Sequence, residues 1–372
     1  MTLRHFAPRS GHLPYWAIGL SIFAALAGVL PIVAALFGGG GGGPRTAFAT
    51  APAGTYVVFS NSGPTTDTIY VAPVDDPAQR TEIAVVDHLD GYTPNGVVSP
   101  DGKQVALVVA EAGTPAYPGA SVLVVNLETG AVTRVAIDVD VLQAPAWTPD
   151  STGVVFTRST SADSMLADVV VSRVDTEGAS ELELMRVDGV FGAYVVGFDP
   201  AERLVTVVID GAGSSVYRDG QELLNLSPHI TRDWQLSPDG AQLAFIESDT
   251  TDGLRYLPKI ASLEPSTAQD MQAQVLSDGG QALGVAWRPG GEPTFGREPG
   301  PGTASSGDFS AQAAPSGFDI PLTYSPDGGT LAVQAWSGPS FEAAGKMRYE
   351  LLRDGERTEL PAASRVYGWA VK

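Results

Sequence analysis

Apolar residues fall along this chain in two different ways. Near the N-terminus, PYWAIGLSIFAALAGVLPIVAALF (Pro14 to Phe37) contains no charged residue and runs for 23 residues from Tyr15. About 20 helical residues cross a bilayer core, so this stretch predicts a transmembrane helix over residues 14–37. Pro31 is tolerable in such a helix. Beyond residue 54 the apolar runs shorten to between four and seven residues and alternate with polar ones. That pattern predicts many short strands and an all-β domain.

Within the strand-rich part, one unit recurs. GVVSPDGKQVALVV (Gly96 to Val109) returns as WQLSPDGAQLAFIE (Trp234 to Glu247) and PLTYSPDGGTLAVQ (Pro321 to Gln334). Looser copies are APAWTPDSTGVVFTR, VVGFDPAERLVTVV and GVAWRPGGEPTFGR. The turns begin at Ser99, Thr148, Asp199, Ser237, Arg288 and Ser325, at intervals of 49, 51, 38, 51 and 37 residues. Pro fixes φ at the second turn position, Asp suits the third and Gly takes the left-handed fourth, which makes each unit a tight β-hairpin. Bulky apolar residues stand just before each turn, at Val98, Trp147, Phe198, Leu236, Trp287 and Tyr324. Six residues after each turn start come Val105, Val154, Val205, Leu243, Thr294 and Leu331. This phase faces a core.

A third strand ending in an acidic-Gly turn follows several hairpins, as in SVLVVNLETG, VVVSRVDTEG and YELLRDGE. A more polar fourth strand comes next, as in ELELMRV. Four strands repeated around a ring is the plan of a β-propeller. The chain ends with SRVYGWAVK, a strand lacking a local partner, in which Trp369 matches Trp147 and Trp287. GTYVVFSNS, from Gly54, matches the strand after a turn. The two ends therefore predict one shared sheet, with Trp369 and Val57 together. Six internal motifs and this closing blade predict seven blades. Residues 299–320, rich in Gly, Pro, Ser and Ala, mark the sixth as degenerate, with poor outer strands or a loop over the ring.

The SPDG hairpin followed by an apolar strand resembles the TolB-like propeller repeat, a relative of WD repeats. The resemblance covers nearly all of residues 55–372. It implies the fold and leaves the function open, since that repeat serves a periplasmic Tol-system protein, oligopeptidase gating domains and many anchored sensors.

Arg4 and Arg9 precede the apolar segment, so the positive-inside rule puts residues 1–13 in the cytoplasm and the propeller outside. The expected layout is a cytoplasmic tail (1–13), the transmembrane helix, a Gly-rich linker (38–54) and a propeller ectodomain (55–372). A cleaved signal peptide fits less well, because its apolar core usually spans about 7–15 residues. Its Ala47 and Ala49 cleavage pattern also lies far downstream. After residue 43 the chain carries 20 Lys+Arg against 42 Asp+Glu, a net charge near −22. Such a surface opposes nucleic acid and anionic lipid. The absence of cysteine removes disulfides, Cys-based zinc sites and a lipoprotein anchor.

No nucleophile elbow, H-E-x-x-H, Walker A loop or dinucleotide fingerprint occurs in the sequence. No catalytic residue, metal site or cofactor is expected. Loops leading into the innermost strands line the channel mouth of a propeller. Here they hold His88, Asp90, Tyr92, Phe191, Tyr194, His229, Arg232, Trp234, Asp319 and Arg365, the candidates for a ligand site. The expected function is non-catalytic binding or scaffolding of a cell-envelope protein, peptide or small ligand at the bacterial cytoplasmic membrane. Two alternatives stand beside it. One is a hydrolase using paired carboxylates such as Asp90 and Asp319, which glycoside chemistry would hold roughly 5–10 Å apart. The other is a sensor signalling through a separate partner.

Overall fold

The computed structural model describes residues 46–372 apart from 115–116, 161–165, 252, 265–272, 277–280 and 299–316. After a short 3-10 turn at Ala47–Thr50, the chain forms β1 (Thr55–Ser62), β2 (Thr66–Pro73) and β3 (Thr81–Asp87). The next sheet holds β4 (Asn95–Val98), β5 (Gln104–Thr114), β6 (Tyr117–Asn126) and β7 (Val132–Ile137). A third contains β8 (Ala146–Trp147), β9 (Gly153–Ser159), β10 (Ala167–Asp175) and β11 (Glu181–Val190). The fourth is β12 (Gly192–Phe198), β13 (Leu204–Asp210), β14 (Gly213–Arg218) and β15 (Gln221–Ser227). Then come β16 (Ile230–Leu236), β17 (Gln242–Asp249), β18 (Arg255–Ser262) and β19 (Gln274–Val275). A hairpin of β20 (Ala282–Trp287) and β21 (Pro293–Arg297) follows. The last sheet is β22 (Phe318–Tyr324), β23 (Leu331–Trp336), β24 (Met347–Arg353) and β25 (Glu356–Glu359). The final strand, β26 (Arg365–Val371), returns to β1.

The all-β propeller is thus present, but with six four-stranded blades instead of the expected seven. The unit that begins at Arg288 makes only the two-stranded hairpin β20–β21 among the described residues. A turn motif marks the first hairpin of a blade, whereas a blade also needs two outer strands. Counting turns therefore overcounts blades. Residues 299–316 lie outside the described residues, as do residues 1–45, where the transmembrane helix was expected. Among the described residues no helix is long and apolar enough to cross a membrane. Residues 46–54, read from sequence as linker, are packed onto the propeller: Phe48 is buried against Tyr56, and Thr46 donates its N–H to the Glu128 carbonyl at 2.8 Å.

Circular closure is observed in register. β26 runs antiparallel to β1, with Val57 opposite Trp369 and Tyr56 opposite Ala370. The sheet order is β26-β1-β2-β3, so the chain's end supplies the innermost strand of a blade whose other strands come from its start. The indole of Trp369 reaches Thr323 Oγ1 on β22 at 3.3 Å, and Trp147 donates to the Val97 carbonyl on β4 at 2.9 Å. Trp147 and its counterpart Trp369 therefore each tie one innermost strand to the next.

The turns explain their own sequence. In the Ser99 copy, Ser99 Oγ donates to Asp101 Oδ1 at 2.6 Å and accepts the Gln104 amide at 3.0 Å. The same carboxylate accepts the Lys103 amide at 3.1 Å. The Ser237, Ser325 and Thr148 turns repeat this pattern with Asp239, Asp327 and Asp150. Gly102 has φ +70°, and a Cβ there would sit 2.9 Å from the Val371 backbone nitrogen. Glycine is needed at that turn both for its conformation and because the closing strand passes so near. Val98 faces Val105, Trp147 faces Val154, Leu236 faces Leu243 and Tyr324 faces Leu331, as the repeat predicts.

Hydrogen bonds from Thr148 Oγ1 and the Thr152 amide hold the Asp150 carboxyl well down, at about 2. Bonding from Ser237 and Ala241 lowers Asp239, and bonding from Ser325 and Gly329 lowers Asp327. Each folded value lies below the unfolded one, so the stability gained is present above pH 3.8 and is lost as pH falls from there towards about 2. We expect the melting temperature to drop across that window. Replacing Asp150, Asp239 and Asp327 together with Asn should flatten the drop, as thermal melts between pH 5 and pH 2 will show.

A second regularity bends the innermost strands. One extra residue is inserted in β12 near Val196, in β16 between Arg232 and Gln235, in β20 at Gly284, in β22 at Leu322 and in β26 at Tyr367. A bulge of this kind kinks the strand and moves every side chain beyond it to the other face.

Candidate functional site

His88 does not stand at the channel mouth. It is buried just after β3, with Nε2 3.1 Å from Asp67 Oδ1 and Nδ1 2.9 Å from the Leu89 carbonyl. Ser60 Oγ donates to the other Asp67 oxygen at 2.8 Å, and the buried Tyr367 hydroxyl donates to Ser60 at 3.0 Å. Tyr367, Ser60, Asp67 and His88 come from, or directly follow, the four strands β26, β1, β2 and β3. The relay thus crosses the whole closing sheet. Both imidazole nitrogens lie within hydrogen-bond reach of acceptors, a pairing that the doubly protonated ring satisfies in full. Burial alone would lower the His88 pKa, but the bonds to Asp67 and the Leu89 carbonyl outweigh it and the net shift is upward. Burial also pushes the Tyr367 phenol up. This is a lock for the ring, not a ligand site.

Asp319 is likewise withdrawn from the mouth. It is buried on β22, and Arg357 of β25 forks onto it with N–H···O distances of 2.9 and 2.7 Å. Arg357 also donates to Glu350 at 2.6 Å, and Arg348 donates to Glu350 as well. The bulge at Leu322 puts Asp319 opposite Ala335, on the blade face shared by Leu331 and Val333 that packs against Ala286 of the two-stranded hairpin. Arg357 and Glu350 lie on the outer strands of that face, where β20–β21 brings no third or fourth strand among the described residues. Ion pairs cover the ground that apolar packing would otherwise take. Asp90, by contrast, is an exposed loop residue. The two carboxylates suggested for hydrolysis therefore do not share an environment: one is buried under a guanidinium and the other is in solvent.

Other candidates do converge. The Tyr194 and Trp234 rings, on adjacent innermost strands, lie 4.9 Å apart at 37°. Trp234 Nε1 donates to Thr231 Oγ1 at 2.8 Å. Arg232 donates to Asp233 at 3.2 Å, and Asp233 accepts the Gly284 amide of the neighbouring hairpin at 2.9 Å. The Arg232 guanidinium also sits 5.8 Å from the Tyr256 ring. Arg365 donates to Asn95 Oδ1 on β4. His229 has Nε2 3.7 Å from Asp249 Oδ1, while Arg255 donates to the other oxygen of that carboxylate. Hydrogen bonds from Thr251 and Arg255 lower the Asp249 pKa. Tyr92 is half-buried, and its N–H donates to the Leu89 carbonyl at 3.1 Å.

Phe191 is 46% exposed, and it has company that the sequence reading missed. Leu142 (70%), Ile230 (55%), Leu254 and Leu276 are also exposed. Each lies in a loop or strand end on the side from which the chain enters the innermost strands, here called the upper face. Their signal in the sequence was one or two bulky apolar residues in an otherwise polar turn, as in DVLQ, PHIT and DGLR. Among the described residues no three His, Asp or Glu side chains converge as a metal ion needs. A shallow cleft of about 240 Å³ opens on the opposite face, between the Thr148 and Asp199 turns, lined by Asp150, Arg173, Phe198 and Glu202.

No protein-family model matches the sequence, and no curated protein does. Solved structures match the fold. TolB from Acinetobacter baumannii aligns over 86% of this chain and 66% of its own length, at 15% identity and a TM-score of 0.51. The acylaminoacyl peptidase of Pyrococcus horikoshii aligns over 84% of this chain at 13% identity and a TM-score of 0.53. Prolyl oligopeptidase B from Galerina marginata aligns over 85% at 10% identity and a TM-score of 0.54. This chain spans 53% and 52% of those two peptidases. By fold, the chain is a β-propeller, similar in architecture to TolB and to the matched parts of these peptidases.

Proposed function

We infer that this propeller binds a protein partner through its upper face and performs no chemistry there. The observation that carries this reading is how the polar residues expected at the mouth are engaged. His88 is bonded to the buried Asp67, Asp319 lies under Arg357, Arg365 reaches Asn95, and Arg232 holds Asp233. Groups held by such bonds are poor general acids, bases or nucleophiles, since catalysis needs a proton or lone pair directed at substrate. The face still offers apolar and aromatic side chains, the residues that anchor protein interfaces. The likeness to TolB supports a binding role, and the likeness to peptidase propellers is compatible with it. The apolar, uncharged run at residues 14–37 supports a place at the outer side of the bacterial cytoplasmic membrane, where envelope proteins would be the available partners.

Site-directed photocross-linking tests the reading. A photoreactive residue at position 191 or 230 should capture protein in intact cells, and the same group at Leu182 or Val132, on outer strands, should not. Equal capture at all four positions, or none at 191 and 230, would remove the upper face as a binding surface.

A further inference from the structure

The chemistry of the partner can be read from what surrounds the apolar residues. Ile137, Leu142, Leu166, Phe191, Ile230 and Leu254 are all exposed and follow one another around the upper face, from the end of β7 to the start of β18. The corresponding loops of the closing sheet, residues 88–94 and 363–364, expose no large apolar side chain. The apolar residues therefore form an arc instead of a scatter, and gathered exposed hydrophobes mark interaction sites.

Exposed acids are set between them. Asp138 follows Ile137, Asp168 lies two residues after Leu166, Asp188 precedes Phe191 by three, and Asp210 caps the end of β13. The arc has no lysine: the four in the chain are Lys103, Lys259, Lys346 and Lys372, none of them in these loops. The arginines along it are already engaged: Arg158 by Glu181, Arg186 by Glu183, Arg232 by Asp233 and Arg255 by Asp249. The surface presented is apolar and anionic at close intervals.

Resting on the binding role inferred above, we propose that this arc docks a polypeptide segment in which apolar and basic side chains alternate. Apolar side chains of the segment would cover Leu142, Phe191 and Ile230, and its Lys or Arg would meet Asp188 and Asp210. Charge complementarity selects this occupant. A second copy of this chain, with a net charge of −20, and an anionic lipid surface both bring the wrong sign.

The test uses the full chain in mild detergent and labelled twelve-residue peptides, with binding read by fluorescence anisotropy. A peptide of alternating leucine and lysine should bind, and versions alternating leucine with glutamate, or serine with lysine, should bind at least about tenfold more weakly. Phe191→Ser with Ile230→Ser should weaken the leucine-lysine peptide by about tenfold, the scale of an interface anchor. Asp188→Asn with Asp210→Asn should weaken it comparably and reduce its salt dependence. Leu182→Ser with Val132→Ser should leave it unchanged. All these residues are exposed, and unaltered melting will confirm that the variants fold. Equal binding of the glutamate peptide, unchanged binding by the Ser or Asn variants, or a dimer in sedimentation that Phe191→Ser dissolves would each overturn the proposal. If position 191 still cross-links a protein while the peptides show no preference, protein docking stands and this partner chemistry fails. Loss of both removes the parent reading too.

Discussion

Replacing Trp369 with Ala should lower the stability of the propeller by about 3–5 kcal/mol, the usual cost of emptying a buried aromatic site. Trp369 is buried among Val57, Phe59, Ala332, Tyr349 and Leu351, so one side chain joins the closing sheet to its neighbour. It lies on the last strand, whose only hydrogen-bonded neighbour among the described strands is β1. A cavity here weakens the seam at which the ring opens, unlike a cavity within a continuous hairpin. We expect a drop in melting temperature of about 10 °C. Thr323→Val, which removes the indole's acceptor together with the hydroxyl's own bond to the Tyr324 carbonyl, should cost about 1 kcal/mol. If both variants melt like the unmodified protein, the terminal strand is not what holds the ring shut.

Asp67→Ala should be equally severe, at about 3–5 kcal/mol, because it leaves the buried imidazole and a buried hydroxyl without their shared acceptor. Asp67→Asn keeps the shape and removes the charge, which isolates the electrostatic part. The His88 pKa is raised in the folded state, so its contribution is fully present below the unfolded value of 6.5 and fades as pH climbs through the higher folded value. Denaturant melts above pH 6.5 should therefore show stability declining with pH in the unmodified protein, with less decline in Asp67→Asn and in His88→Gln. An identical pH dependence in all three would mean that the imidazole is not the titrating group.

Much of the fold was legible because its signals are local. SPDG states a turn, the residues beside it state a core-facing phase, and the match of Trp369 to Trp147 names the partner of the last strand. What was hidden depends on geometry that a periodic reading cannot carry. Asp319, Arg232 and Tyr194 each lie on the far side of a bulge from their turn. One inserted residue in β22 moves Asp319 from the mouth onto a blade face, and one in β16 turns Arg232 towards Tyr256. His88 was hidden for another reason: its role needs Ser60, Asp67 and Tyr367, up to about 300 residues away, which only closure brings together. The blade count failed where the Arg288 turn kept its hairpin without, among the described residues, the outer strands that usually follow.

Circular closure can be measured directly. Thr55 and Val371 face each other across β1 and β26 beside the hydrogen-bonded pair Gly54–Lys372. Facing residues of this non-hydrogen-bonded kind have Cα atoms about 4.5 Å apart, within reach of a disulfide. The chain has no cysteine of its own. A Thr55→Cys, Val371→Cys variant should oxidise to a single intramolecular bridge in native buffer. By closing a loop of about 300 residues, the bridge should raise stability by about 5 kcal/mol over the reduced form. Thiols that stay free under oxidising conditions, or a bridged protein that melts below the reduced one, would contradict closure of the propeller by its two chain ends.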